Sequence, residues 1–386
     1  MKIHIRFIKT EVLLFVGLLL SIVITWSYSR SLLPIYAGVS IIIAIFAYGL
    51  FFLKIHKVDG IYGLICIFLL FESIFTGVLM RFELKGMIMV NTSIVLPAAI
   101  STLEIDSDNI RKGSQVISLI SLGVMFLQIN FGVLGSINSN TISFLAYILL
   151  SVGFIWYEYS KKKLLPIAYF ICCMVIFLQT GSRNAAITIV LCFALLIVPK
   201  SIVKRKIIYR AIYGASLIYT FFALKIMEWG FSNPSISNLL NTYTDTFSEK
   251  AWTMESRMYF LQEISTKIDS LDFFTKIFGE GTCQHFGHNL YYQCVFVWGI
   301  VGAILIYILL IRVFEMAYKE IVSGNQLVYG CFTILIGHII LNGADVYLFG
   351  GETCQVAPLI IIGIIMQQYC YRRKQERMEL FYNEKV

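Results

Sequence analysis

The chain has 386 residues, of which 58% are hydrophobic and only 14% charged, with a formal net charge of +8. One soluble core cannot absorb that much apolar surface, because single cores stop growing at about 250–300 residues. Disorder is excluded too, since disordered chains are polar and poor in aromatics, whereas 15% of these residues are aromatic.

Apolar runs of about 20 residues, broken by short charged patches, recur along the chain and predict an all-α polytopic membrane protein. In chain order the spans are Glu11–Tyr28, Leu32–Leu53, Ile61–Met80, Met87–Leu103, Ser114–Leu134, Thr141–Tyr157, Leu164–Gln179, Asn184–Val198, Ile207–Met227, Leu290–Ile311, Gln326–Asp345 and Thr353–Tyr369. These make about 12 transmembrane helices in a single integral membrane domain, residues 1–386. The Met87 and Asn184 spans are the shortest.

Lys and Arg set the direction. With the N-terminus inside, 22 of the 31 basic residues fall in inner segments and 9 in outer ones, so both termini are expected in the cytoplasm. The same bias explains the net charge as topology and removes the case for a nucleic-acid partner. The basic-then-apolar N-terminus resembles a signal sequence, but Trp26, Tyr28 and Arg30 stand where a small-residue cleavage site would be. An uncleaved first span is the expectation. Most of the cysteines lie inside spans and none forms a CxxC pair, so no zinc site is expected. Cys283 and Cys354 both fall on or near the outer side, and spacing leaves open whether they pair.

One connection stands apart. The predicted outer loop 228–289 is roughly 60 residues long, where most others have about 5 to 12, and connections that long are usually functional. Within it Met254–Lys267 reads as a helix, with Met254, Met258, Leu261 and Ile264 on one stripe. A polar, turn-rich stretch precedes it at Ser232–Asn241. Gly279, Gly281 and Gly287 predict a flexible exit.

Several residues are suited to chemistry, each with a plainer alternative. Arg183, in Gln179-Thr-Gly-Ser-Arg-Asn at the outer edge of a span, offers a fork of donors suited to phosphate oxygens; the alternative is a snorkelling interfacial Arg. Arg257 lies in the loop, where a surface ion pair with Glu255 or Glu263 is the competing role. His288 falls where the loop re-enters the membrane. A neutral imidazole there can take a proton from a hydroxyl, or it can orient the loop by a hydrogen bond, and His285 competes for either role. Asn289 suits a helix cap. Glu72 interrupts the third span near its middle, a depth at which ionisable groups face a partner or a water-filled cavity. His338, Asn342 and Asp345 share one helix face; they line a sugar-binding cavity or form a polar seam between helices. Asp106-Ser-Asp108 looks like the metal-binding pair of nucleotide-sugar glycosyltransferases, but in a connection of about ten residues it reads as a solvated charge run. Ser182 lacks a nucleophile-elbow pattern.

Taken in order, Thr180-Gly-Ser-Arg183, a long outer loop with Ser256-Arg257, Phe278-Gly-Glu-Gly, His288-Asn-Leu-Tyr and Trp298-Gly-Ile-Val-Gly302 resemble the O-antigen ligase and O-antigen polymerase superfamily of bacterial polysaccharide assembly. The resemblance is specific between Gln179 and Gly302. The spacing from His288 to Gly299 looks like the ligase signature. Ile187 stands where the ligase Arg-x3-Leu pattern has Leu, and Ala194 where some polymerases have Gly.

The resemblance implies a glycan donor linked to undecaprenyl diphosphate, used at the outer face of the cytoplasmic membrane. It implies Arg183 and Arg257 as diphosphate stabilisers and His288 as base, in an inverting transfer with no metal or cofactor. Glu255, Glu280, Asn289, Tyr292, His338 and Asp345 are the further substrate-binding candidates. The partners implied are the lipid-linked glycan, membrane lipids, and the flippase and chain-length regulator of the same pathway. The expected enzyme is a polymerase of oligosaccharide repeat units, with a ligase as the alternative. A flippase of lipid-linked sugars fits the span count, but transporters usually carry repeats and midplane sites; here no repeat is visible and the candidates cluster at one face.

Overall fold

The computed structural model describes residues 8–80, 84–134, 139–180, 183–233, 259, 261–280, 289–343 and 356–383. Among these the chain is helical almost throughout. The helices are α1 (Thr10–Ser29), α2 (Leu33–Lys54), α3 (Gly60–Met80), α4 (Leu84–Ser101), α5 (Ile110–Phe131), α6 (Ser139–Leu150), α7 (Gly153–Tyr159) and α8 (Leu164–Thr180). They continue with α9 (Arg183–Ile197), α10 (Lys200–Val203), α11 (Lys206–Ser232), α12 (261–270), α13 (Phe273–Phe278), α14 (Leu290–Val322), α15 (Gln326–Leu341) and α16 (Val356–Asn383). The only described strands are β1 (Ile8–Lys9) and β2 (Ile105–Asp106), a short parallel pair.

Helices fall on all the predicted apolar segments. By length and composition five can cross a membrane: Thr10–Ser27, Leu33–Lys57, Ile110–Phe131, Ile142–Tyr159 and Leu290–Val322. Shorter apolar helices cover Gly60–Thr76, Asn91–Ser101, Leu164–Thr180, Ile187–Ile197 and Gln326–Leu341.

Burial divides the helices into two sets. Residues 91–101 of α4, most of α6 and α7, nearly all of α15 and the first half of α16 are buried all round, so their apolar character supplies the core. The surrounding helices keep apolar residues outward. Ile41, Ile42 and Ile45 on α2, Leu64, Phe71 and Ile74 on α3, and Leu165, Ile171 and Leu178 on α8 are exposed. A helix that is apolar inside and out is a membrane helix rather than an amphipathic surface helix. Packing relies on small residues, as between membrane helices generally: a β-carbon on Gly363 of α16 would collide with Ile100 and the Pro97 carbonyl of α4.

The described ion pairs gather at one end of the bundle. Asp59 accepts from Arg312 at 2.7 Å, Glu320 from Arg372 at 2.6 Å and Glu315 from Arg210 at 2.8 Å, and Lys200 pairs with Glu158. Asp59 lies just outside α3. Its burial would raise its pKa, but the Arg312 guanidinium and the Tyr62 N–H outweigh that and hold it low.

Four features differ from the sequence expectation. The predicted span Thr141–Tyr157 is matched by the apolar segment Ile142–Tyr159 but carries a turn between α6 and α7, where the Tyr169 ring packs over Gly153. The last helix runs on to Asn383, supported by the Arg372–Glu376 pair one turn apart. α14 continues past Ile311 to Val322. Asp106 is drawn into structure: its backbone pairs with β1, its carbonyl accepts from Thr10 Oγ1 at 2.9 Å and its Oδ1 from the Asp108 N–H at 3.0 Å.

Candidate functional site

The end of the bundle opposite the ion pairs carries the conspicuous sequence motifs. α14 begins there with Asn289 as its cap. The Asn289 Oδ1 accepts from the Tyr291 and Tyr292 N–H groups at 2.8 and 3.2 Å. Its Nδ2 donates to the Thr220 carbonyl of α11 at 2.8 Å and to the Gly343 carbonyl beyond α15 at 2.9 Å. The Leu290 N–H donates to the Asn342 carbonyl at 2.8 Å. One buried amide therefore knots three helices. Aromatic packing reinforces the knot, with Tyr291 against Phe221 at 4.4 Å between ring centroids.

α14 is interrupted two turns later. Gly299 has φ 66° and ψ −174°, a combination open in practice only to glycine. Gly279, just after α13, has φ 79° and ψ 170°. The two glycines meet backbone to backbone. A β-carbon on Gly279 would come within 3.0 Å of the Val297 carbonyl and the Gly299 nitrogen, and one on Gly299 within 3.0 Å of the Ile277 carbonyl. The Glu280 N–H donates to the Phe296 carbonyl at 2.8 Å. The loop exit is thus fastened at Gly279 to the helix break, where the sequence had suggested flexibility.

The loop residues leading to this clasp are ordered by local chemistry. Asp272 caps α13, accepting from the Phe274 and Thr275 N–H groups and from Thr275 Oγ1 at 2.6 Å. Those donors, the Thr275 hydroxyl first, hold its carboxyl below the usual aspartate range. On α12, Leu261 and Ile264 are buried as the predicted stripe requires. Lys267 lies over the Phe296 ring of α14 at 5.1 Å.

α9 runs antiparallel to α15. Tyr329 Oη donates to the Leu195 carbonyl at 2.8 Å and Cys192 Sγ to the Thr333 carbonyl at 3.5 Å. Continuing that antiparallel course brings the start of α9 to the end of α15, the same end at which the Asn342 carbonyl holds the start of α14.

Of the predicted site residues, Arg257, His288, Glu255 and Asp345 lie outside the described residues, as do Met254, Met258, Gly281, Gly287, His285, Cys283, Cys354 and Ser182. Arg183 opens α9, and its side chain is also outside them. Asn289 caps the start of α14, and Glu280 is tied by its N–H to Phe296 about two turns further along the same helix. Tyr292 is half-buried on its first turn. His338 sits deeper, 1% exposed, edge-on to Tyr147 at 4.9 Å and beside Phe144, with Nδ1 unpartnered. Asn342 Nδ2 donates to the His338 carbonyl at 2.6 Å, so these two join the helix end to the core.

Glu72 is 4% exposed, and neither carboxylate oxygen has a hydrogen-bond partner. Its Oε2 lies 3.4 Å from where a β-carbon on Gly302 would stand, and so faces α14 one turn beyond the break. The buried Trp298 Nε1 is likewise unpartnered. The sequence flagged Glu72, Trp298 and the glycines separately; Thr220 and the pairing of the glycines carried no signal of their own.

Among the described residues, the fold is that of an α-helical protein with five helical segments long and apolar enough to cross a membrane. Neither a protein-family model nor a curated protein sequence matches the chain.

Proposed function

We propose that the protein is a membrane glycosyltransferase that joins lipid-diphosphate-linked oligosaccharide units, an O-antigen or capsule polymerase. In this reading about twelve helices cross the bacterial cytoplasmic membrane, both termini face the cytoplasm and the segment 228–289 lies outside. The observation that supports it most is that α9 and α14 start at the same end of the bundle. Arg183 is the first residue of α9, and His288 directly precedes the Asn289 cap of α14 in the sequence.

The chemistry follows from the setting. The outer face has no supply of nucleotide sugars, so the sugar must arrive on a good leaving group. The acceptor hydroxyl oxygen attacks the anomeric carbon as the glycosyl–phosphate bond breaks, and the bonding pair leaves on the diphosphate. Arg183 and Arg257 balance the charge that grows there, a contribution made chiefly in the transition state. His288 takes the hydroxyl proton, worth about a hundred- to ten-thousand-fold in rate. Attack from the opposite face inverts the anomeric carbon.

The test is reconstitution in liposomes with an undecaprenyl-diphosphate-linked repeat unit. Polymerase activity releases undecaprenyl diphosphate and lengthens the lipid-linked chain. Release with transfer only to a separate lipid or protein acceptor indicates the ligase, and translocation without release indicates a flippase. His288→Ala and Arg257→Ala should abolish release while leaving membrane insertion unchanged. A stable, fully active variant removes that residue from the mechanism.

A further inference from the structure

The charged end of the bundle contains a cavity that the proposed reaction does not use. It has a volume of about 550 Å³ and opens between the turn after α2, the end of α4 and the middle of α16. That volume lies within the roughly 300–1,000 Å³ of small-ligand sites. Lys57, Arg373, Lys374 and Arg377 line it, together with Asp59 and Glu104. Asp59 is already committed to Arg312 at 2.7 Å. Among the described residues none of the four lining cations has a carboxylate partner, whereas Arg312 and Arg372 beside them are both paired. The cavity is therefore left with an excess of positive charge.

Its depth is set by the helices. α2 ends at Lys54, α4 at Ser101, and α16 leaves its buried apolar stretch at Tyr369, so the cavity opens where apolar helix gives way to charge. The last turn of α2, which leads into the lining at His56 and Lys57, carries Phe52 and Leu53, which are 60% and 78% exposed. Arg373 is steadied over the Tyr369 ring at 5.7 Å. A cationic recess with exposed apolar side chains on its membrane side matches a phosphate-bearing headgroup whose tails remain in the bilayer.

We propose that this cavity is a binding site for a phosphate-bearing anion, supplied by an anionic phospholipid headgroup. The inference is independent of the glycosyltransferase reading.

Arg373 and Arg377 are exposed, so Arg373→Gln/Arg377→Gln removes charge without opening the core. The full chain, purified in detergent, is mixed with phosphatidylglycerol or phosphatidylcholine, and retained lipid is counted by native mass spectrometry. Phosphatidylglycerol should be retained by the wild type, phosphatidylcholine should not, and the double variant should hold the anionic lipid about thirtyfold more weakly. Lys162→Gln/Lys206→Gln, which removes equal charge from exposed positions elsewhere at this end, should leave retention unchanged. In a parallel arm inorganic phosphate alone is titrated. Thermal stabilisation by phosphate, lost in the double variant, without lipid retention would keep the site and assign it to a soluble phosphate compound. Equal lipid loss in both double variants, or no dependence on Arg373 and Arg377 in either arm, overturns the proposal.

Discussion

The meeting of Gly279 and Gly299 leaves no room for a side chain at either position, and both have positive φ. Gly299→Ala combines backbone strain with a collision against the Ile277 carbonyl, so it should cost roughly 3 kcal/mol or more, seen as a lower melting temperature in detergent. Asn289→Ala removes a helix cap and two buried donor bonds, and should cost about 2–3 kcal/mol. Asn289→Asp keeps the cap oxygen but strands the Thr220 and Gly343 carbonyls, and should recover only part of the loss. The cap itself was legible, because Asn before an apolar run is a strong helix-start signal. The glycine pair was not. Each glycine read alone signals a turn, and nothing local shows that another glycine twenty residues on will fill the space a side chain would take.

At the scale of the element, hydropathy located the helices because membrane length dictates the run of apolar residues. It could not locate interruptions inside a run: the break at Gly299 and the turn between α6 and α7 depend on what packs against them. Nor could it find the continuation of α16 to Asn383, where the helix leaves the apolar zone and is held by paired charges. The cap of α13 gives a pH signature. The carboxyl of Asp272 is held below its ordinary pKa when folded, so its contribution is complete above the unfolded value and lost as pH falls through the folded one. Hydrogen-exchange protection across 261–280, taken relative to the intrinsic exchange rate at each pH, should therefore fall at acid pH, and Asp272→Ala should remove that acid dependence. The Asp59–Arg312 pair is the corresponding device at the opposite end. Asp59→Asn should cost roughly 1–3 kcal/mol, read as a fall in melting temperature.

For the whole molecule, the sequence conveyed the helical class and the position of the charged end, because both are sums over many residues. The candidate site was legible only as an order of motifs; the helix course that brings the starts of α9 and α14 to one end is a property of packing. The topology proposed above is open to direct measurement. A single cysteine at exposed Ser270 in a cysteine-free background should react with an impermeant reagent added to whole spheroplasts, and one at exposed Lys206 only after lysis. The bond from the Glu280 N–H to the Phe296 carbonyl has an evolutionary corollary. It closes residues 280–296 into a ring of fixed circumference, whatever happens upstream. Extra residues inserted near Leu271 should lengthen the excursion and leave the ring intact, whereas even one residue added between Cys283 and His285 should change its circumference. Variation in length is thereby confined to the incoming arm, so the sequence there can diversify while the closed segment keeps its length.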